Sequence, residues 1–290
     1  MVGRLLAGVL AAATLFAAGA AAGPGAVQAR AAGPALPASK LEFGLSNFDA
    51  GWLAQSGVPW RYRYQYLAGG VNTGGGWATW NSPAGQFATD YLQATPKGTI
   101  PVFTYYMLLQ SNGTGGSEAD RDFAHLNDPA LMNAYYADFK LLMQKAGAWG
   151  GQAVVHVEPD LWGYLEQRAL PGDASSLTAS VAGSGNPDVA GYPDTVAGFA
   201  GALLHLRDVS APNVSMAIHA SAWGSKIDIA SSTDPSVDPV AEADKTAAFL
   251  NSTGSWDAVF NDVADHDAGW WETAPCSAPP CTNQWWTHWW

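Results

Sequence analysis

Residues 156–160, His-Val-Glu-Pro-Asp, place two carboxylates and an imidazole within five positions. Paired carboxylates can do acid and base work on one bond, one giving a proton while the other attacks or activates water. The residues before them, Ala153, Val154, Val155 and Val157, form a short apolar run that reads as a buried strand. Pro159 cannot extend a sheet ladder, so the strand is expected to stop near Glu158. Strand side chains alternate, which would put His156 and Glu158 on one face. An acid at the C-terminal tip of a strand is where parallel sheets usually do chemistry.

The elements that must hold this stretch can be read along the chain. Strands are expected over 41–47, 60–67, 99–108, 153–158, 214–220 and 256–263. Residues 60–67 alternate Arg61, Arg63 and Gln65 against Tyr62, Tyr64 and Tyr66. Helices are expected over 85–94, 129–146, 195–206 and 239–250. Asp128-Pro129 and Asp238-Pro239 mark two starts, with Asp as cap and Pro in the first turn. Strands alternating with helices imply an α/β fold with a parallel sheet. Connections after strands two to six are mostly long (68–84, 109–127, 160–192, 221–237, 264–290), and those before strands three to six are short. That asymmetry predicts a (β/α)8 TIM-type barrel with an elaborated active face. Only six strands are found, so the last two strand-helix units are expected to be lacking from this chain.

Residues 1–29 read as a signal peptide: a basic start at Arg4, an apolar stretch from Leu5, and Val27-Gln28-Ala29 before the cut. Residues 30–39 read as a disordered lead-in, and 40–290 as one catalytic domain. Removing 1–29 leaves 290 − 29 = 261 residues and takes only Arg4 from the charge, moving it from −12 to −13. An acidic exported chain of this kind is expected to bind neither nucleic acid nor, once the signal is cut, a membrane. It is expected to be secreted and to act as a monomer without a cofactor. Cys276 and Cys281 fit one small disulfide loop in an oxidising compartment.

Fourteen tryptophans are many for 290 residues. Several, including Trp162, Trp223 and Trp270, fall in expected loops, where flat aromatic faces suit sugar rings. Other polar residues gather at expected strand ends: Asp49, Arg63, Tyr105, His156, Asp160, His219 and Asp262. Glu158 and Asp262, each where an apolar strand ends, are the pair expected to carry catalysis. The remainder, with the three tryptophans, are expected to bind substrate.

Val157-Glu158-Pro159 resembles the Glu-Pro ending of strand four in many secreted (β/α)8 glycoside hydrolases. The large retaining clan among them has Asn before that Glu, whereas here the residue is Val157. The resemblance implies that Glu158 is the general acid/base of a glycosidase acting on a polysaccharide or oligosaccharide. That clan's nucleophile lies on strand seven, which has no counterpart here, so Asp262 as nucleophile or base rests on its position alone. Two other functions stay open. One is a non-catalytic carbohydrate-binding or cell-surface protein using the Trp-rich face. The other is a metal-dependent hydrolase with His156, Glu158, Asp160, His219 and Asp262 as ligands. Barrel metallohydrolases of the familiar kind share a His-x-His on strand one, and residues 41–49 contain no His.

Overall fold

A computed structural model describes residues 32–37, 40–46, 49–229, 232 and 234–261. Among these residues, six strands form one all-parallel sheet: β1 (Gly44–Leu45), β2 (Tyr62–Leu67), β3 (Ile100–Tyr105), β4 (Ala153–Val157), β5 (Val214–Ala220) and β6 (Ala258–Asn261). Their spatial order is their chain order, and each neighbouring pair is parallel. Sequential winding of this kind curls the sheet into a half-barrel, in keeping with part of a TIM-like barrel.

The register fixes two faces. Tyr64, Val102, Val154 and Ser215 line up across the sheet, as do Tyr66, Thr104, His156 and Ala217. These rows form the concave face. The alternate rows, among them Phe103, Tyr105, Val155 and Val157, point out to the helices and join the main core.

Among the described residues, seven α-helices accompany the strands: α1 (Ala50–Gln55), α2 (Gln86–Ala94), α3 (Glu118–Leu126), α4 (Pro129–Trp149), α5 (Pro159–Arg168), α6 (Val196–Ser210) and α7 (Pro239–Thr253). Asp128 and Asp238 cap α4 and α7 as their Asp-Pro starts predict, each accepting from two backbone N–H groups. Two helices lie in stretches read as loop. In α3, Ser117 accepts from the Asp120 N–H, and Glu118 and Asp120 sit in the favoured first turn. In α5, Pro159 opens the helix directly after β4, with only Glu158 between.

Residues 32–37 of the expected lead-in make contacts with the sheet. They belong to no regular element. The Gly33 N–H donates to Asp257 at 2.9 Å, and the Ser215 hydroxyl to the Pro34 carbonyl at 2.8 Å. Leu36 packs on the concave cluster of Ile100, Val102, Val154 and Ala217. A Cβ on Gly33 would stand 2.7 Å from the Asp257 carboxylate, so the strap approaches this closely only with glycine there.

Candidate functional site

The C-terminal ends of β3 and β4 carry four carboxyls: Glu118 and Asp122 on α3, Glu158 between β4 and α5, and Asp160 in the first turn of α5. Tyr106 and Tyr164 stand among them. The Tyr106 hydroxyl donates to Glu118 at 3.1 Å, and Tyr164 hydrogen-bonds the same carboxylate.

Glu158 does not share a face with His156. Its backbone sits at φ 42°, ψ 74°, left-handed space that a non-glycine residue enters at a cost of roughly 1–3 kcal/mol. The twist turns the side chain off the concave face and into the wall behind β3. One carboxylate oxygen accepts from the Met107 N–H at 3.0 Å and the Leu108 N–H at 3.1 Å. The Tyr135 hydroxyl of α4 lies against it. Only 1% of the residue is exposed. Burial, reinforced by Asp122, outweighs these hydrogen bonds and pushes its pKa up to about 8. Glu158 is therefore a buried, protonated carboxyl that fastens the β3–α3 connection.

Asp122, 2% exposed, is raised to about 7, by burial first and then by the charges of Glu118 and Asp160. Asp160 itself is half-buried, and it lies close enough to raise Tyr106, Asp122 and Tyr164. Tyr164 reaches about 12, from burial first and then from Glu118. The group can thus offer a protonated carboxyl near neutral pH beside one that solvent reaches.

The other expected site residues divide by face. His156 and His219 meet on the concave side, His156 Nε2 lying 3.1 Å from His219 Nδ1. Phe260 stacks on His156 at 4.4 Å. Burial, then His219, lowers the His156 pKa to about 3, so it stays neutral. Trp223 is half-buried at the β5 end and packs on Tyr164 with ring centres 4.7 Å apart. A Cβ on Gly163 of α5 would come within 2.6 Å of the Trp223 ring, so glycine lets the indole settle there. Asp49 lies apart from this group as the cap of α1, accepting from the Trp52 N–H.

Three expected binding residues belong to the packing instead. Arg63 points out to α2, donating to the Tyr91 carbonyl and the Thr95 hydroxyl, with its guanidinium 3.8 Å over the Tyr91 ring. Odd positions of β2 face the helices, so the alternation that marked it as polar also turns it outward. Tyr105 is fully buried behind β3, donating to Asp138 at 2.7 Å. Trp162 is fully buried because 159–168 is helix rather than loop, and its indole donates to the Val157 carbonyl. Asp262, Trp270, Cys276 and Cys281 lie outside the described residues.

Sequence reasoning passed over Glu118 and Asp122. The stretch Ser117-Glu118-Ala119-Asp120 carries a helix-start pattern that could have placed both at a strand end. Among the described residues, no group of three or more His, Cys, Asp and Glu side chains is arranged to hold a metal. No family model, curated protein or solved structure matches the chain.

Proposed function

We propose that the chain is an exported glycoside hydrolase that cleaves a polysaccharide or oligosaccharide with two carboxyls on the C-terminal face of its sheet. The observation that carries the reading is the Asp122–Asp160 pair, a buried carboxyl raised to about 7 beside a half-buried one, on the helices that follow β3 and β4. Asp160 is the group that reaches the substrate. As the acid of this reading it delivers a proton to the leaving oxygen.

Glu158, expected from the Glu-Pro resemblance to be the acid, takes a positioning part in this reading. Its carboxyl holds Met107 and Leu108, and through them the loop leading to α3 and Asp122. Asp262, next after the last residue of β6, is the proposed base or nucleophile. Trp223 and Tyr164 offer the aromatic surface for a sugar ring.

The test is sugar release from a panel of β-glucans, mannans, xylans, arabinans and α-glucans. Release by wild type and its loss in Asp160→Asn, with the variant still folded, supports the reading. Release undiminished in Asp160→Asn moves the acid elsewhere. No release from any polymer, with saturable binding to one, favours a carbohydrate-binding protein without turnover.

A further inference from the structure

One carboxylate of the cluster has no part in the proposed hydrolysis. Glu118 stands in the first turn of α3, half-buried, so solvent reaches it. The Tyr106 hydroxyl donates to it at 3.1 Å, and Tyr164 hydrogen-bonds it from α5. Two tyrosines therefore fix its position, and a carboxylate with about four acceptor sites keeps room for a further donor. Among the described residues no lysine or arginine forms a salt bridge with it. The two arginines of α3 and α5 are engaged elsewhere. Arg121 donates to the Leu109 carbonyl at 2.8 Å, and Arg168 donates to Asp120.

Asp122 gives an independent sign that a cation belongs here. It lies one turn along α3 from Glu118, 2% exposed, with its Oδ1 in no hydrogen bond. Tyr106, Asp122 and Tyr164 each feel both Glu118 and Asp160, so these two half-buried carboxyls border one small space, with the buried Asp122 behind it. Arg121 acts against them on Asp122, but more weakly than either. Like charges this close oppose one another's ionised forms, and a cation brought among them relieves all three. That cation needs to touch only Glu118, since Asp122 responds through space. An organic ammonium suits this spread better than a metal ion. No three of the described His, Cys, Asp and Glu side chains are gathered to ligate one.

We propose that the glycan this site takes is a polymer of 2-amino sugars with free amino groups, the ammonium held by Glu118 and the ring face laid on Trp223. The inference rests on the hydrolase reading of the same site and names its substrate class. The amino carbon adjoins the anomeric carbon, so an ammonium on Glu118 directs the neighbouring glycosidic oxygen toward Asp160. Trp223 packs on Tyr164 with ring centres 4.7 Å apart, which sets the indole next to the tyrosine that holds Glu118. An ammonium near an indole face gains a further attraction. Glycans of uronic acids are repelled by the same carboxyls.

The experiment is a calorimetric titration of the full chain at pH 6 with four ligands: the β-1,4-linked tetramer of D-glucosamine, its fully N-acetylated form, cellotetraose and tetralysine. The free-amine tetramer is expected to bind about tenfold tighter than either neutral tetramer, well within what one charge pair near a protein surface supplies. Its lead should shrink as ionic strength rises from about 0.05 to about 0.5 M. Tetralysine, charged but without a ring, should bind about tenfold more weakly than the free-amine tetramer, for want of the contact with Trp223. Glu118→Gln keeps an oxygen for the tyrosines and should erase most of the lead, while the neutral tetramers bind it as they bind wild type. Equal affinity for the aminated and acetylated tetramers overturns the proposal. So does the absence of binding by any tetramer, equally tight binding of tetralysine, or a lead unchanged in Glu118→Gln. Turnover of the corresponding polymers separates this inference from the hydrolase reading. Preferred binding of the free-amine tetramer with no polymer cleaved would sink the hydrolysis and keep the recognition. Cleavage of a neutral polymer without preference for the amine would sink the recognition and keep the hydrolysis.

Discussion

Glu158 and Asp160 are two residues apart and live in different environments. The first is sealed against backbone N–H groups, and the second is only half-buried. The difference traces to one backbone angle. Had β4 run one residue further, Glu158 would have pointed onto the concave face beside His156; its positive φ turns it away. Alternation could not reveal that turn, because period-two reasoning stops where the strand does. This divides the labour in a way that paired variants expose. Asp160→Asn should lower kcat by 100-fold or more, the range for losing a general acid. Glu158→Gln keeps an acceptor oxygen for Met107 and Leu108 and should retain activity within about tenfold of wild type. Initial rates on the best panel substrate decide it. The reverse order of effects would return the acid role to Glu158.

At the scale of elements, the sequence was most informative about strands. All six expected strands are present and sequentially paired, because apolar runs bounded by turns have few other uses. Two helices were hidden. In α5, Gly163 and a start fused to a strand mask the helical period; in α3, a nine-residue helix rich in charge shows little apolar face. Trp162 was consequently placed in a loop and is core. The N-terminal strap was hidden for a different reason. Ala, Gly and Pro give no periodic signal, and the strap's hydrogen bonds run to partners more than a hundred residues away, Asp257, Ser215 and Gln152. Leu36→Ala should therefore cost about 1–2 kcal/mol, the scale of removing a half-buried aliphatic side chain from apolar contact. Urea denaturation measures it. A lead-in without fixed contacts would show no change.

Across the whole molecule, several titratable groups are buried or half-buried, and their pKa values are shifted in opposing directions. Glu158 is raised to about 8, and Asp122 and Glu166 to about 7, in each case chiefly by burial. Unfolding would return them to the ordinary carboxylate range. Between about pH 4.5 and 7 the unfolded chain has released protons that the folded chain still holds, so stability falls as pH rises. Glu158 and Asp122, both buried, each contribute a slope of up to about 1.4 kcal/mol per pH unit in that window, and the half-buried Glu166, screened by solvent, contributes less. His156 works against them. Held neutral to about pH 3, it costs stability as pH falls below its ordinary value near 6.5. Three carboxyls outweigh one imidazole where the windows overlap, so the urea midpoint should be higher at pH 5 than at pH 8. In Glu158→Gln the difference should shrink, since the amide has no proton to release while the fold keeps its acceptor for the loop. An unchanged slope in that variant would mean that Glu158 is ionised in the folded protein. The same outcome would also remove a source of acidity behind Asp122, because a charged Glu158 would raise the Asp122 pKa further and tie the proton there. The stability profile thus tests the electrostatics of the site in a measurement that needs no substrate.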